Sequence, residues 1–418
     1  MITFLVYISN LNKKMWNAFL LSICIVVISI FSDSFLIVSA STLSENEILA
    51  KSCAVIDGYN NRILFDKNAN EPMANASTTK IMTCILTLEN ANLNDMVLIS
   101  GDAANQPKVR LGLTVGKEYL LKDLVYGLML ESFNDCAVAI AEHVAGDVES
   151  FAAMMNEKAK KLGCKDTYFV TPNGLDAERE GKEHHSTAAD LCRIMKYCVW
   201  ESASAEQFLE ITQTLTYECK DPNGQMHLFA NHNQLYANDE NAISGKTGYT
   251  AKAGYCYVTA YEEEGMRFCI ALLGCGWPNH KDYKWIDSRK IINNIKKEYV
   301  VSELKGETKK FQTNYYISNG YSGTVDLNKW QKEIPLYGKY TNKTSGASSY
   351  LHMPKESLRI ENSYRKEITA PLRIGDKIGC TNYYLGEMQV AGKIIVSAQE
   401  VRKWNLKTLF WAVFLQYF

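Results

Sequence analysis

At 418 residues the chain is too long for one ordinary core, so two or three domains are expected. A hydrophobic fraction of 47% and a charged fraction of 22% exclude intrinsic disorder. A formal net charge of −1 leaves no electrostatic footprint for nucleic acid.

The N-terminus reads as an export signal covering residues 1–40. Lys13 and Lys14 precede WNAFLLSICIVVISI, the run from Trp16 to Ile30, and Val38-Ser39-Ala40 offers a small-residue cleavage site. The apolar stretch ahead of the lysines is unusual for a signal, and translation from Met15 would omit both charges. An uncleaved anchor is the alternative, but the run is shorter than a usual spanning helix. Either way the remaining chain is expected outside the cytoplasm. Of twelve cysteines, removal of Cys24 leaves eleven, an odd number without a Cys-x-x-Cys pair. Cys84, Cys136, Cys192 and Cys269 lie in apolar stretches and read as reduced core thiols, which would suit an oxygen-poor habitat.

From Leu49 to about Tyr299 long amphipathic helices mix with β-rich segments. KSCAVIDGYNNRILFDKNAN predicts two strands around a Gly58–Asn61 turn. Helices are predicted from Ser77, across LLKDLVYGLML, and from FNDCAVAIAEHVAG with Gly146 as C-cap. Another opens at Thr187, where Asp190 completes a capping pattern. Beyond Gly245, TAKAGYCYVTAYEEEG and MRFCIALLGCG read as strands, followed by a helix from about Ile286 to Tyr299. Strands flanking a helical middle imply a sheet assembled from distant parts of the chain. Residues 301–398 are strand-like throughout, with a hairpin expected about Gly386-Glu387, and read as a small β domain. The last stretch, WNLKTLFWAVFLQYF, is apolar at eleven of fifteen positions. Asn405, Thr408, Ala412 and Gln416 form one narrow polar stripe, so residues 399–418 read as an interfacial membrane anchor, with a helix docked on the β domain as the alternative.

Three short motifs carry the chemistry. Ser77-Thr-Thr-Lys80 places a hydroxyl and an amine at i and i+3, where side chains on a helix meet, although Ser77 could equally cap the helix. Ser302 and Lys305 repeat the spacing, so the pattern alone is cheap. Ser132-Phe133-Asn134 lies between two helix patterns, and Lys246-Thr247-Gly248 opens a strand-like run. Ser-x-x-Lys, Ser-x-Asn and Lys-Thr-Gly in that order, 55 and 114 residues apart, form a strong joint signal. Glu183, His184 and His185 do not read as a metal site, because no His-Glu-x-x-His is present and neighbouring histidines point apart on a strand. Asp135 and Glu142 read as supports of the helix after Asn134.

With ASTTKIMT, LMLESFNDCAVAIAEHVAG, FVTPNGLDAEREGKEHHSTAADL, NHNQL and SGKTGYTAKAGYC in this order, the stretch from Cys53 to about Tyr299 resembles the D-alanyl-D-alanine carboxypeptidases, the low-molecular-mass penicillin-binding proteins. ITAPLRIGDKIG is similar to their small C-terminal β domain. The resemblance implies a β-lactamase/transpeptidase-like α+β domain, an antiparallel sheet covered by helices with the site at the sheet's edge. It implies no cofactor or metal, with peptidoglycan stem peptides as substrate and β-lactams as inhibitors. Ser77 would be the nucleophile and Lys80 its base; Ser132 and Asn134 would relay the proton to the leaving amine. The amides of Ser77 and Tyr249 would form the oxyanion hole. Lys246 and Thr247, with Gly248 beside them, would face the substrate carboxylate, helped by Lys281, Lys284 or Arg289. Phe133 departs from the small residue of the family, and its ring is expected to narrow the cleft. A serine β-lactamase would need a Glu-x-x-Leu-Asn loop, and none lies between Asn134 and Lys246. A silent wall-binding or antibiotic-sensing module is the reading from another class, and the intact constellation does not favour it.

Overall fold

The computed structural model describes residues 43–304, 311–315, 317–318, 320–321, 334–346, 349–365, 368–397, 400–403 and 405–417. The export signal expected over 1–40 lies outside the described residues.

The predicted hairpin forms strands β1 (Ser52–Asp57) and β2 (Ile63–Lys67). Far along the chain come β3 (Ser244–Thr250), β4 (Gly254–Glu263) and β5 (Met266–Leu273). They assemble into one sheet in the order β2-β1-β5-β4-β3, antiparallel at every pairing, so both ends of the helical middle meet between β1 and β5. Every residue of β1 is buried, as a strand covered on both faces must be. On one face Ala54, Ile56, Val258, Ala260, Cys269 and Ala271 join the core of the helical region. On the other, Tyr257 meets Trp285 edge to face, with ring centroids 4.8 Å apart.

The helical layer holds α1 (Lys80–Asn90), α2 (Asn134–Ala145), α3 (Val148–Lys161) and α4 (Ala188–Lys196). Gly146 ends α2 at φ 88°, and the Thr187 hydroxyl caps α4 by accepting from the Asp190 amide, both as expected. The α3 helix, absent from the expected elements, is capped in the same way by Asp147. On the opposite face runs α5 (Tyr283–Glu298), which begins nearly one turn earlier than expected. Its Asp287 accepts the amides of Leu49 and Ala50 at 3.1 and 2.8 Å, tying the segment before β1 to α5.

Beyond α5 the chain is strand-rich. β6 (Val300–Glu303) pairs with β8 (Ser349–His352), and a second five-stranded sheet contains β7 (Ile334–Gly346), β9 (Leu358–Tyr364), β10 (Lys377–Leu385) and β11 (Met388–Ser397). Gly386, at φ 59°, turns the β10–β11 hairpin where it was expected. The buried Asp57 at the end of β1 accepts the Leu351 amide at 2.9 Å, while Arg62 donates to the Leu351 carbonyl at 3.0 Å and pairs with Glu356. The β1–β2 turn thereby grips β8. Helix α6 (Leu406–Tyr417) closes the described chain. It exposes Leu406, Phe410, Trp411, Val413 and Phe414, with Leu406 at 87%. Among the described residues no helix is long and apolar enough to cross a membrane. The eleven described cysteines are all free thiols, and eight of them are buried.

Candidate active site

Ser77 sits in a single 3-10 turn, Ala76–Thr79, that feeds directly into α1. It does not cap that helix. Its oxygen instead lies 2.8 Å from Lys80 Nζ and 3.4 Å from the Asn173 carbonyl. The turn is cramped: Ala76 holds φ 49°, and a Cβ placed on Gly248 would lie 2.8 Å from the Ser77 amide. Glycine at position 248 is therefore what lets β3 reach the nucleophile. Since β3 is the edge strand of the main sheet, the site lies at the sheet's edge.

Lys80 is fully buried, and its Nζ touches Ser77 Oγ at 2.8 Å, Asn134 Oδ1 at 2.9 Å and the Asn173 carbonyl at 2.7 Å. Burial first, and the Lys246 charge second, hold its pKa well below the ordinary lysine value. The orientation of the Asn134 amide is fixed, because Nδ2 donates to the Pro107 carbonyl at 3.1 Å, an atom that can only accept. A neutral lysine amine has two N–H bonds and one lone pair. Two of its three neighbours here, an amide oxygen and a backbone carbonyl, can only accept. In that neutral state both N–H bonds go to Asn134 and Asn173, and the lone pair is left for the Ser77 hydroxyl.

Ser132 holds a left-handed backbone, φ 66°, at the end of the π-helical turn Gly127–Glu131, and its buried hydroxyl has no hydrogen-bond partner. Asp135 accepts the amides of Leu111, Gly112 and Leu113, so its support extends from α2 to the loop beside the cleft. Phe133 is half-buried. Its ring packs edge to face on Phe229 with centroids 5.5 Å apart, and a Cβ on Gly127 would lie 3.0 Å from it.

Lys246 is buried, donates to the Thr247 carbonyl at 3.2 Å, and has its pKa pushed down to about 7 by burial, with Glu131 pulling the other way. Glu131 accepts the Ala230 amide at 2.7 Å and faces His232 Nε2 at 2.9 Å. Half-buried Thr247 lies between Lys246 and Gly248, and the exposed Tyr249 ring packs at a tilt against Tyr255, with centroids 4.7 Å apart. Of the three downstream cations, Lys281 and Arg289 are exposed. Lys284 is buried under Tyr255 and Trp285, 4.7 Å from each ring, and donates to the Lys281 carbonyl.

His184 proves structural. Its Nδ1 accepts the Val170 amide at 3.0 Å, which leaves Nε2 to donate to Thr79 Oγ1 at 2.8 Å. Burial drops its pKa to about 3, so the ring stays neutral and pins the 170–171 backbone to the nucleophile turn. Among the described residues no group of three or more His, Cys, Asp or Glu side chains is placed to hold a metal. The contributions of Asn173 and Gln106 escaped the sequence reading. Pro172-Asn173-Gly174 signals a turn but not that its carbonyl enters the site.

The fold and this buried serine–lysine pair define a serine-type acyl-transfer hydrolase of the β-lactamase/transpeptidase class. The D-alanyl-D-alanine carboxypeptidase family model matches residues 39–276, and the chain belongs to that family. It is 32% identical over 238 residues to D-alanyl-D-alanine carboxypeptidase DacF of Bacillus subtilis, covering 56% of this chain and 59% of that protein. To D-alanyl-D-alanine carboxypeptidase DacC of Escherichia coli it is 25% identical over 379 residues, covering 87% and 86%. Crystal structures of penicillin binding protein 5 from Haemophilus influenzae share the fold with a TM-score of 0.66 at 22% identity, covering 85% of this chain and 98% of that one.

Proposed function

We propose that the protein removes the terminal D-alanine from peptidoglycan stem peptides ending in D-Ala-D-Ala, by way of an acyl-enzyme on Ser77, and that β-lactams acylate the same oxygen. The observation that carries this reading is the contact of the buried Lys80 Nζ with Ser77 Oγ at 2.8 Å beside two groups that can only accept, so that in the neutral amine the lone pair is left for Ser77. Lys80 takes the Ser77 proton as Oγ attacks the carbonyl between the two D-alanines. The amides of Ser77 and Tyr249 receive the developing oxyanion; the close approach of Gly248 to Ser77 brings those two backbones together. As the carbon–nitrogen bond breaks, the proton held by Lys80 passes to the leaving amine through Ser132, whose hydroxyl has no partner before substrate arrives. Asn134 holds the substrate amide. Water then attacks the ester, Lys80 accepts a proton from it, and that proton returns to Ser77 as the peptide acid leaves. Lys246 and Thr247 bind the free carboxylate. In the free enzyme the Lys246 cation is lost as pH rises through about 7, whereas Lys80 must be neutral to act, so rising pH works on the two lysines in opposite senses.

Incubation with a pentapeptide ending in D-Ala-D-Ala should release one free D-alanine per peptide, measured with D-amino-acid oxidase. Intact substrate after prolonged incubation of folded protein would reject the assignment.

We further propose that residues 41–300 carry the chemistry, residues 301–398 form the separate β domain, and residues 399–418 lie in the membrane surface at the outer face of the cytoplasmic membrane. The exposed apolar side chains of α6 support this placement. Full-length mature protein should co-sediment with lipid vesicles, and a chain ending at Ala398 should not while still releasing D-alanine.

A further inference from the structure

We propose that Gln106 is a positioning residue for the general base, holding the Asn173 carbonyl in place on Lys80. The inference rests on the reading of Lys80 as base given above. Gln106 lies just past the short helix Gly101–Ala104, in the loop beside the cleft. Its Nε2 donates to the Asp102 carbonyl at 3.1 Å, which directs Oε1 towards the Asn173 Nδ2 at 3.0 Å. With Nδ2 so engaged, Asn173 Oδ1 accepts the Leu175 amide at 3.0 Å. The Asn173 side chain is therefore tied at both ends, and its backbone carbonyl is presented to Lys80 Nζ at 2.7 Å.

The turn that carries this carbonyl has no slack of its own. Gly174 sits at φ 82°, and a Cβ there would lie 2.0 Å from the Ala76 carbonyl, so the segment runs hard against the nucleophile turn. A small rotation of the Asn173 peptide would remove one of the two acceptors that fix the lysine. The freed N–H would then compete for Ser77 Oγ, and the lone pair would no longer face the hydroxyl. The same loop supplies the other acceptor's support: Pro107 O holds the Asn134 Nδ2, and Val109 O accepts the Asn134 amide at 2.8 Å. One loop thus sets both acceptors, through main-chain atoms for Asn134 and through the Gln106 side chain for Asn173.

The test compares Gln106→Met, of similar volume but unable to accept, with Gln106→Glu, which restores the acceptor oxygen. Single-turnover acylation by benzylpenicillin is followed across pH, with Lys80→Met as reference. The charged and titratable groups facing Lys80, namely Lys246, Asp135, Cys136 and His184, are unchanged in Gln106→Met, whereas Gln106→Glu adds a carboxylate in the same loop. Gln106→Met should slow acylation about tenfold, the effect of one lost hydrogen bond of ordinary strength in the transition state. It should also move the acid limb of the profile to lower pH, because the ammonium loses an acceptor it needs more than the amine does. Gln106→Glu should recover part of the rate, since the acceptor oxygen is back although the donor to the Asp102 carbonyl is not, and its added negative charge should move the acid limb to higher pH. An unchanged rate in Gln106→Met, with Lys80→Met inactive, would overturn this role and leave the base assignment standing. A slowed rate with an unmoved limb and no rescue by Gln106→Glu would also overturn it, by marking a loop-folding effect. Rapid acylation of Lys80→Met would instead overturn the base assignment itself.

Discussion

The pattern Ser-x-x-Lys recurs along the chain, and the serines of two of its copies, Ser77 and Ser302, lie in opposite surroundings. Ser77 stands one turn before Lys80 in a helical run, where residues three apart share a face, and the amine of a fully buried lysine reaches its oxygen at 2.8 Å. Ser302 lies on strand β6, where residues three apart point to opposite faces, and its hydroxyl meets His352 Nε2 at 2.8 Å. Lys305 falls outside the described residues. His352 also engages the Met353 carbonyl through Nδ1 at 2.8 Å, so Ser302 forms part of a cross-strand link between β6 and β8. A motif serine thus serves chemistry in a helical turn beside a desolvated amine, and serves packing on a strand.

The sharpest way to break this contrast is to delete each hydroxyl. Ser77→Ala should abolish covalent labelling by a fluorescent penicillin, read on a denaturing gel, whereas Ser302→Ala should label like the parent. Residual labelling in the first variant would move the nucleophile elsewhere. A graded effect is expected at the lysine: Lys80→Met should reduce the acylation rate by about 10²–10⁴, the range of a positioned general base. In the parent the rate should rise with pH as Lys80 loses its proton, well below the ordinary lysine pKa, and stopped-flow acylation across pH would show whether that limb disappears in the variant. The smallest effect belongs to the structural copy. Ser302→Ala should lower unfolding stability by about 1 kcal/mol, one half-buried hydrogen bond, without any loss of labelling. Denaturant melts of both alanine variants would measure it, and an equal loss in Ser77→Ala would blur the distinction.

Much of this site was legible because its side chains are named in the sequence at rigid spacings. Ser77, Lys80, Asn134 and Lys246 could be placed together from three motifs, and the Thr187 cap and Gly386 turn followed from local backbone chemistry. What stayed hidden are contributions that residue identity does not encode. The third partner of Lys80 is a backbone carbonyl, which every residue possesses, and only the folded path of Pro172–Gly174 brings it in. Gln106 acts across 67 positions of sequence, a pairing no periodicity reports. The partners of Phe133 were hidden for a related reason: position in a motif says where its Cα lies, while its packing is set by Phe229 and the room above Gly127.

The buried free thiols have a kinetic consequence. Exchange and oxidation proceed through the thiolate, and burial raises the pKa of Cys53, Cys136, Cys192, Cys198 and Cys269 while sealing each from reagent. These sulfurs are therefore addressable only when the surrounding core opens. Their rate of modification in native buffer becomes a clock for that opening, running at the frequency with which the main sheet and its helices part. Because these free thiols include no cross-link to break, a reductant should leave the melting temperature where it is, while a slow alkylating agent should trap the molecule one excursion at a time.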